Sequence, residues 1–220
     1  MIEQIEIRSL LPCVFAGMED TDRIRSSQIW EEPSFVFHRG CRLCVHAESG
    51  NGKSSLLHFI YGSRKDYKGS ILFDGTDISA LSIAQWCDVR TKGIALLPQD
   101  MALFPELTVG QNIDLKNNMT HHKTSEQIKE LLARLGIDDK HDVAAGKLSI
   151  GQMQRVALVR AVCQPFDFIF LDEPVSHLDA RNNKIVADII TEEANSQGAG
   201  IISTSVGNHL MLDNAKFVSL

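Results

Sequence analysis

Phe166 to Leu171 is an almost unbroken apolar run, interrupted only by Asp167 and closed at once by Asp172, Glu173 and Pro174. A strand of that composition has no polar face to turn to water, so it must be covered on both sides, as strands in parallel sheets are. Gly200–Thr204 repeats the pattern, and Arg42–His46, Gly93–Leu97 and Lys216–Leu220 are further short runs of strand length. Between them the spacing turns helical. Lys53–Tyr61 and Ile185–Ala194 read as helices, Gln127–Leu135 places Ile128, Leu131, Leu132 and Leu135 on one helical face, and another helix follows Ser149. Ile71–Phe73, closed by Asp74-Gly75, signals a hairpin. Strands alternating with helices predict an α/β fold with a mainly parallel central sheet. The helices bunched from Thr108 to Lys147 predict a helical lobe inserted into it.

The most specific local motif is Ala47-Glu-Ser-Gly-Asn-Gly-Lys-Ser-Ser55, set between a strand and a helix. A polyphosphate is held by backbone that comes close to it. Gly50 and Gly52 permit that approach and the φ values it needs, and the helix that follows aims its first N–H groups at the anion. In that geometry Lys53 supplies positive charge to the terminal phosphates and Ser54 a hydroxyl ligand to Mg²⁺. The pattern asks for Gly where this chain has Ala47. On this motif alone the expectation is a nucleotide site, formed by Ala47, Glu48, Ser49, Gly50, Asn51, Gly52, Lys53, Ser54 and Ser55.

Asp172 and Glu173 are the second candidate pair. Two adjacent carboxylates fixed at the end of a rigid strand can divide the work of a phosphoryl-transfer site. Asp172 holds the metal, directly or through water, and Glu173 orients or activates the attacking water.

Composition narrows the class. The 220 residues are 44% hydrophobic, enough for one sizeable domain. The net charge of −6 argues against general affinity for nucleic acid or anionic lipid. No uncharged apolar stretch approaches the ~20 residues that cross a bilayer, and Met1-Ile-Glu-Gln-Ile-Glu6 has neither the basic start nor the apolar run of a signal peptide. The expectation is a cytoplasmic chain unless a partner holds it at a membrane. The five cysteines (Cys13, Cys41, Cys44, Cys87, Cys163) are odd in number and scattered, as in a reducing compartment. Cys41 and Cys44 have C-x-x-C spacing, but no second Cys or His pair follows, so they read as ordinary buried or half-buried thiols.

Along nearly its whole length the chain resembles the ATP-binding subunits of ABC transporters. Leu148-Ser-Ile-Gly-Gln152, with Met153-Gln-Arg155 and Ala157-Leu-Val-Arg-Ala161, resembles the family's signature motif and its helix. Gln99 matches its Q-loop, and Ser176-His-Leu-Asp179 its D-loop. Leu107-Thr-Val-Gly-Gln-Asn-Ile113 resembles the opening of its helical lobe, and Gly69-Ser-Ile-Leu-Phe-Asp-Gly75 its β lobe. The resemblance implies a P-loop NTPase core with an N-terminal antiparallel β lobe, one ABC ATP-binding domain over residues 1–220, and a helical lobe over approximately 105–160.

It also implies a mechanism. Two such subunits, identical or closely related, sandwich two ATP molecules, and each phosphate loop is closed by the partner's signature motif. Ser149, Ile150, Gly151 and Gln152 would act across that interface, with Ser176 and Asp179 as D-loop residues. Glu173, Gln99 and Lys53 would be catalytic, with Gln99 sensing the γ phosphate and, beside Ser54 and Asp172, the Mg²⁺. Phe15 is the candidate for stacking on adenine. Membrane-spanning permease subunits, docked between the lobes, would hold the chain at the inner face of the membrane.

Two departures bear on rate. Ile150 stands where the family usually has a glycine, and Ser205 stands where it places its switch histidine, with His209 four residues on. With Ala47 they leave open an alternative, a weakly hydrolysing regulatory subunit of a heterodimeric complex, while the intact Lys53, Gln99, Asp172 and Glu173 argue against outright loss. A soluble ABC protein acting on DNA or the ribosome ranks last, because the chain has no long coiled-coil insertion and no second ATPase domain. The short C-terminus leans toward export on analogy alone. Residues 16–30 fit no part of the resemblance.

Overall fold

The structure, a computed structural model, describes residues 1–18 and 20–220. The chain runs β1 (Gln4–Pro12), α1 (Asp22–Arg25), β2 (Ser34–His38), β3 (Arg42–His46), α2 (Lys53–Ile60), β4 (Tyr67–Phe73), β5 (Thr76–Asp77), α3 (Ile83–Asp88) and β6 (Ile94–Leu97). It continues through α4 (Val109–Asn117), α5 (Ser125–Arg134), α6 (Ile150–Val162), β7 (Phe168–Leu171), α7 (Ala180–Gln197), β8 (Gly200–Ser205) and β9 (Lys216–Ser219). Two sheets result. One is antiparallel, in the order β2-β1-β4-β5; the other has the order β6-β7-β8-β3-β9, and every pair in it is parallel.

The parallel sheet divides two cores, and the alternation along β7 shows how. Phe168 and Phe170 face the antiparallel sheet and α2, packing with Phe37, Phe59 and Ile202, while Ile169 and Leu171 face the helices with Val156, Val159, Val186 and Ile190. All four β7 side chains are fully buried. That double cover is what the apolar run demands, because successive strand residues point to opposite faces.

Between the neighbouring strands β6 and β7 the chain makes three helices, α4 to α6. The helices expected between Thr108 and Lys147 are α4 and α5: α4 ends at Asn117, and Asn117 then exchanges hydrogen bonds with Lys123, its Nδ2 donating to the carbonyl and its Oδ1 accepting from the amide. An Asn that satisfies loop backbone in this way competes with helix continuation. α7 is longer than the apolar spacing predicts, because polar residues set its ends. Asp179 accepts the amide of Asn182 at the start, and Gly198 stops it at φ +62°.

Parallel pairing brings the functional strand ends together. His46 lies opposite Ser205, Leu171 opposite Ser203, and Leu97 opposite Leu171, so the loops after β3, β6, β7 and β8 leave from one edge. In open α/β sheets that carboxyl edge is where ligands bind. Among the described residues no helix is long and apolar enough to cross a membrane.

Candidate active site

At this edge Ser49, Gly50, Gly52, Lys53, Ser54 and Ser55 line a cleft of about 190 Å³ together with Val14, Phe15, Gln99 and Glu173. The loop itself runs from β3 into α2, whose N-cap is Gly52 at φ +93°. Gly50 is also in the left-handed region, at φ +84°. Only glycine holds such values without strain, so both loop glycines are used for conformation. Ala47 is not among the residues with positive φ; its methyl therefore sits on ordinary backbone, and the departure from Gly costs the loop no strain at that position.

Lys53 is 5% exposed, and its Nζ donates to the carbonyls of Ala47 (2.8 Å) and Glu48 (2.9 Å). Burial pushes its pKa below 10.5, while the Glu173 and Asp172 carboxylates pull the other way. The lysine thus knits the loop into a closed turn with its charge beside the acidic pair.

Asp172 and Glu173 are fixed through Thr204 on β8. The Thr204 hydroxyl donates to Asp172 Oδ1 at 2.6 Å and accepts the Glu173 amide at 3.0 Å. Asp172 is 2% exposed, and its Oδ2 has no hydrogen-bond partner. Such an atom is costly unless something positive meets it. Glu173 sits at φ +48°, a conformation unusual for a residue with a side chain, and Gln154 on α6 secures it by donating to its carbonyl at 3.0 Å. The Oε1 of Gln154 accepts the His177 amide, which ties α6 to the loop of Ser176 and Asp179.

Several candidate residues lie outside the cleft lining. Ser149 caps α6 in a reciprocal box with Gln152: Ser149 Oγ accepts the Gln152 amide at 3.3 Å, and Gln152 Oε1 accepts the Ser149 amide at 2.9 Å. Ile150 follows on the surface, 51% exposed. A Cβ on Gly151 would stand 3.2 Å from the His177 carbonyl, so this glycine permits close packing on the next loop. Ser176 accepts from Gln154 at 3.4 Å, and Asp179 serves as the cap of α7.

Burial distinguishes two of the expected site residues. Phe15 lines the cleft and is 3% exposed, with its ring edge against Gly52; its exposed neighbour at the rim is Val14. Ser205 is 1% exposed, with its hydroxyl within 3.2 Å of His209 Nδ1 and 3.5 Å of the Cys44 thiol. Beyond this strand end Val206 and His209 reach open space, and both line a cavity of about 720 Å³ shared with Ala47, Glu48, Ser49 and Asn51. The roles of Thr204 and Gln154 have no signal in their residue types, although Gln154 lies in the signature-like helix; only the register of β7 with β8 and the docking of α6 reveal them.

The sequence model for the family described as ABC transporter matches residues 30–176. The chain belongs to the ABC transporter ATP-binding family. It is 33% identical over 162 residues to the lipoprotein-releasing system ATP-binding protein LolD of Buchnera aphidicola subsp. Schizaphis graminum, an alignment that takes in 72% of this chain and 71% of that protein. It is 34% identical over 190 residues to the xylose import ATP-binding protein XylG of Shigella flexneri serotype 5b, covering 83% of this chain but 36% of that one. Against the dimeric structure of MJ0796, a bacterial ABC transporter cassette, the TM-score is 0.75 at 18% identity, with 98% of this chain and 94% of that chain covered. This family member therefore has the ABC cassette fold, with the α/β character expected from its apolar runs.

Proposed function

We propose that this chain binds Mg-ATP in the cleft between Ala47–Ser55 and Glu173 and hydrolyses it, powering a membrane transporter through ATP-driven pairing with a second ATP-binding subunit. The observation that carries the reading is the orphaned Asp172 Oδ2, buried beside a phosphate loop that also presents Lys53 and Ser54. The donor set is all oxygen, which suits Mg²⁺: Asp172, the Ser54 hydroxyl and Gln99 would hold it. When bound, the ion neutralises charge on the terminal phosphates.

The chain's own residues then account for the rest. Loop amides at the start of α2 bind phosphate oxygens, and Lys53 supplies a point charge. Glu173, held by Thr204 and Gln154, accepts a proton from the attacking water as its oxygen bonds to the γ phosphorus and the bond to ADP breaks. Gln99, in the loop after β6, lines the same cleft and senses its content. Ser149 and the amide of Gly151, at the exposed N-terminus of α6, would close the cleft of a partner subunit, with Ser176 and Asp179 alongside. In this reading residues 1–220 act as a single ATP-binding domain, with α4 and α5 in its helical lobe and permease subunits holding it at the membrane.

The burial of Ser205 favours a second reading, a slowly hydrolysing regulatory subunit of a mixed pair. One experiment separates the two. The solution mass of Glu173→Gln protein is measured with and without Mg-ATP. A dimer that forms only with Mg-ATP supports the self-pairing motor. A monomer that binds ATP supports a mixed pair, and a protein that binds no ATP overturns the proposal.

A further inference from the structure

The segment that no family motif explains, residues 16–30, ends on the back of the phosphate loop. Its frame is set locally. The buried Ser27 hydroxyl accepts the amides of Ile29 (3.2 Å) and Trp30 (2.8 Å) in a turn. Gln28 anchors the segment to the edge strand β9: its amide donates to the Ser219 carbonyl at 3.0 Å, and its Oε1 accepts the Ser219 amide at 2.9 Å. Trp30 therefore leaves a fixed backbone and is itself 5% exposed.

Its indole meets the loop in two ways. The Nε1–H donates to the carbonyl of Asn51 at 3.2 Å. The ring lies against Gly52, where a Cβ would come to 3.2 Å of Trp30 Cζ2 and 3.4 Å of Phe15 Cε2. Gly52 lines the cleft; Trp30 does not.

The consequence follows from peptide geometry. The bond from Asn51 to Gly52 is trans, as all described peptide bonds are, so the Asn51 carbonyl and the Gly52 N–H point in opposite directions. Holding that carbonyl on the indole side turns the Gly52 N–H to the other side. A loop of convergent N–H groups repels itself, and a rotated 51–52 peptide would present an oxygen, not a hydrogen, to an anion. A donor behind the loop opposes that rotation.

We propose that Trp30 is a positioning residue of the nucleotide site, whose indole N–H holds the Asn51 carbonyl behind the phosphate loop and so presets the Gly52 amide for phosphate. The inference rests on the nucleotide-binding reading above. It also gives residues 27–30 a role, as the turn that carries Trp30 from β9 to the loop.

The test removes the N–H and keeps the ring. The full chain is made with 3-benzothienylalanine at position 30, which puts sulfur in place of the indole N–H, and with Trp30→Phe as a second variant. Mg-ATP and Mg-pyrophosphate are titrated calorimetrically into the wild type and both variants, and steady-state KM and kcat are measured. One net hydrogen bond corresponds to about a fivefold loss of affinity. The expected result is that loss for both ligands in the analogue, with KM raised in step and kcat within about twofold of wild type. A Trp86→Phe background, which leaves Trp30 as the single tryptophan, should show an indole emission change on adding Mg-pyrophosphate. Unaltered affinity of the analogue, or a fall in kcat at constant KM, overturns the proposal. If Trp30→Phe fails to fold, the analogue carries the test alone. A wild type that binds neither ligand overturns the nucleotide reading itself, so the two failures are told apart by the wild-type titration.

Discussion

Thr204 and Asp172 are joined by a 2.6 Å hydrogen bond across neighbouring parallel strands, and the same threonine oxygen receives the amide of Glu173. One β-branched side chain on β8 thus orients both carboxyl residues at the end of β7. Thr204→Val keeps the shape and removes both bonds, leaving a buried acceptor and a buried donor unmet. The expected cost is about 1–3 kcal/mol in urea unfolding, together with a fall in kcat that exceeds any rise in KM for ATP. Thr204→Ser should restore most of both.

Lys53 gives the site a pH signature with a definite sign. Burial lowers its folded pKa beneath 10.5. Below the folded value the lysine is charged in both folded and unfolded chains; between the two values the unfolded chain binds the extra proton. Through Lys53 alone, stability therefore rises with pH across that window. Affinity for Mg-ATP runs the other way, falling as the ammonium is lost, and the fall should set in before pH 10.5. In Lys53→Arg, whose charge persists, that alkaline limb of the binding curve should vanish, while affinity at pH 7 drops. Calorimetric titration between pH 7 and 10 reads both effects.

The general base is tested by the conservative amide. Glu173→Gln cannot take the proton from water, yet it leaves the amide contact with Thr204 and the carbonyl contact with Gln154 in place, because both are made by backbone. Single-turnover hydrolysis should slow by about 10²–10⁴-fold with ATP affinity changed by less than about threefold. An equal loss in both quantities would assign Glu173 to binding instead.

How much of this was legible in the sequence depends on the range of the contacts involved. The buried strands announce themselves because β7 and β8 are covered on both faces, so nearly every residue must be apolar. The phosphate loop is legible because its glycines, lysine and serine are consecutive. Four helix starts were also written plainly, in Ser82-x-x-Gln85, Thr108-x-x-Gln111, Thr124-x-x-Gln127 and Ser149-x-x-Gln152, all of which form reciprocal capping boxes. Apolar periodicity passes over them because they are polar. What stays hidden is set by tertiary approach. Trp30 reaches Asn51 across 21 residues and Gln154 reaches Glu173 across 19, and neither pair has a spacing rule. Phe15 looks like an exposed platform by position, yet it is buried against Gly52 in the same core cluster as Ile24, Ile29 and Trp30.

Ser205, the last residue of β8, and His209 beyond it make a pair at this strand end. The serine is buried against Cys44, while the imidazole lies in the cavity beside Ala47 to Asn51. If this pair stands in for the family's switch histidine, His209→Ala should lower kcat about tenfold or more with little change in ATP affinity. Ser205→Ala should do the same to a smaller degree by releasing the ring. Both effects should shrink to less than about twofold if the chain is the slowly hydrolysing regulatory subunit, whose rate would not depend on this pair.

Ile150 supplies the last prediction. It is the first residue of α6, 51% exposed, at a helix N-terminus whose cap is already complete through Ser149 and Gln152. A branched, exposed side chain there crowds the helix terminus that a partner's phosphate would need to approach. Ile150→Gly opens that approach and loses only weak helix propensity at a terminal position, so the monomer's unfolding midpoint should move by less than about 1 kcal/mol equivalent. In the Glu173→Gln background the Mg-ATP-dependent dimer should tighten by about tenfold, which is ~1.4 kcal/mol, as read by sedimentation across a concentration series. A dimer unchanged by the substitution would mean that this α6 terminus does not face a bound phosphate, and would move the search for the interface to another surface of the chain.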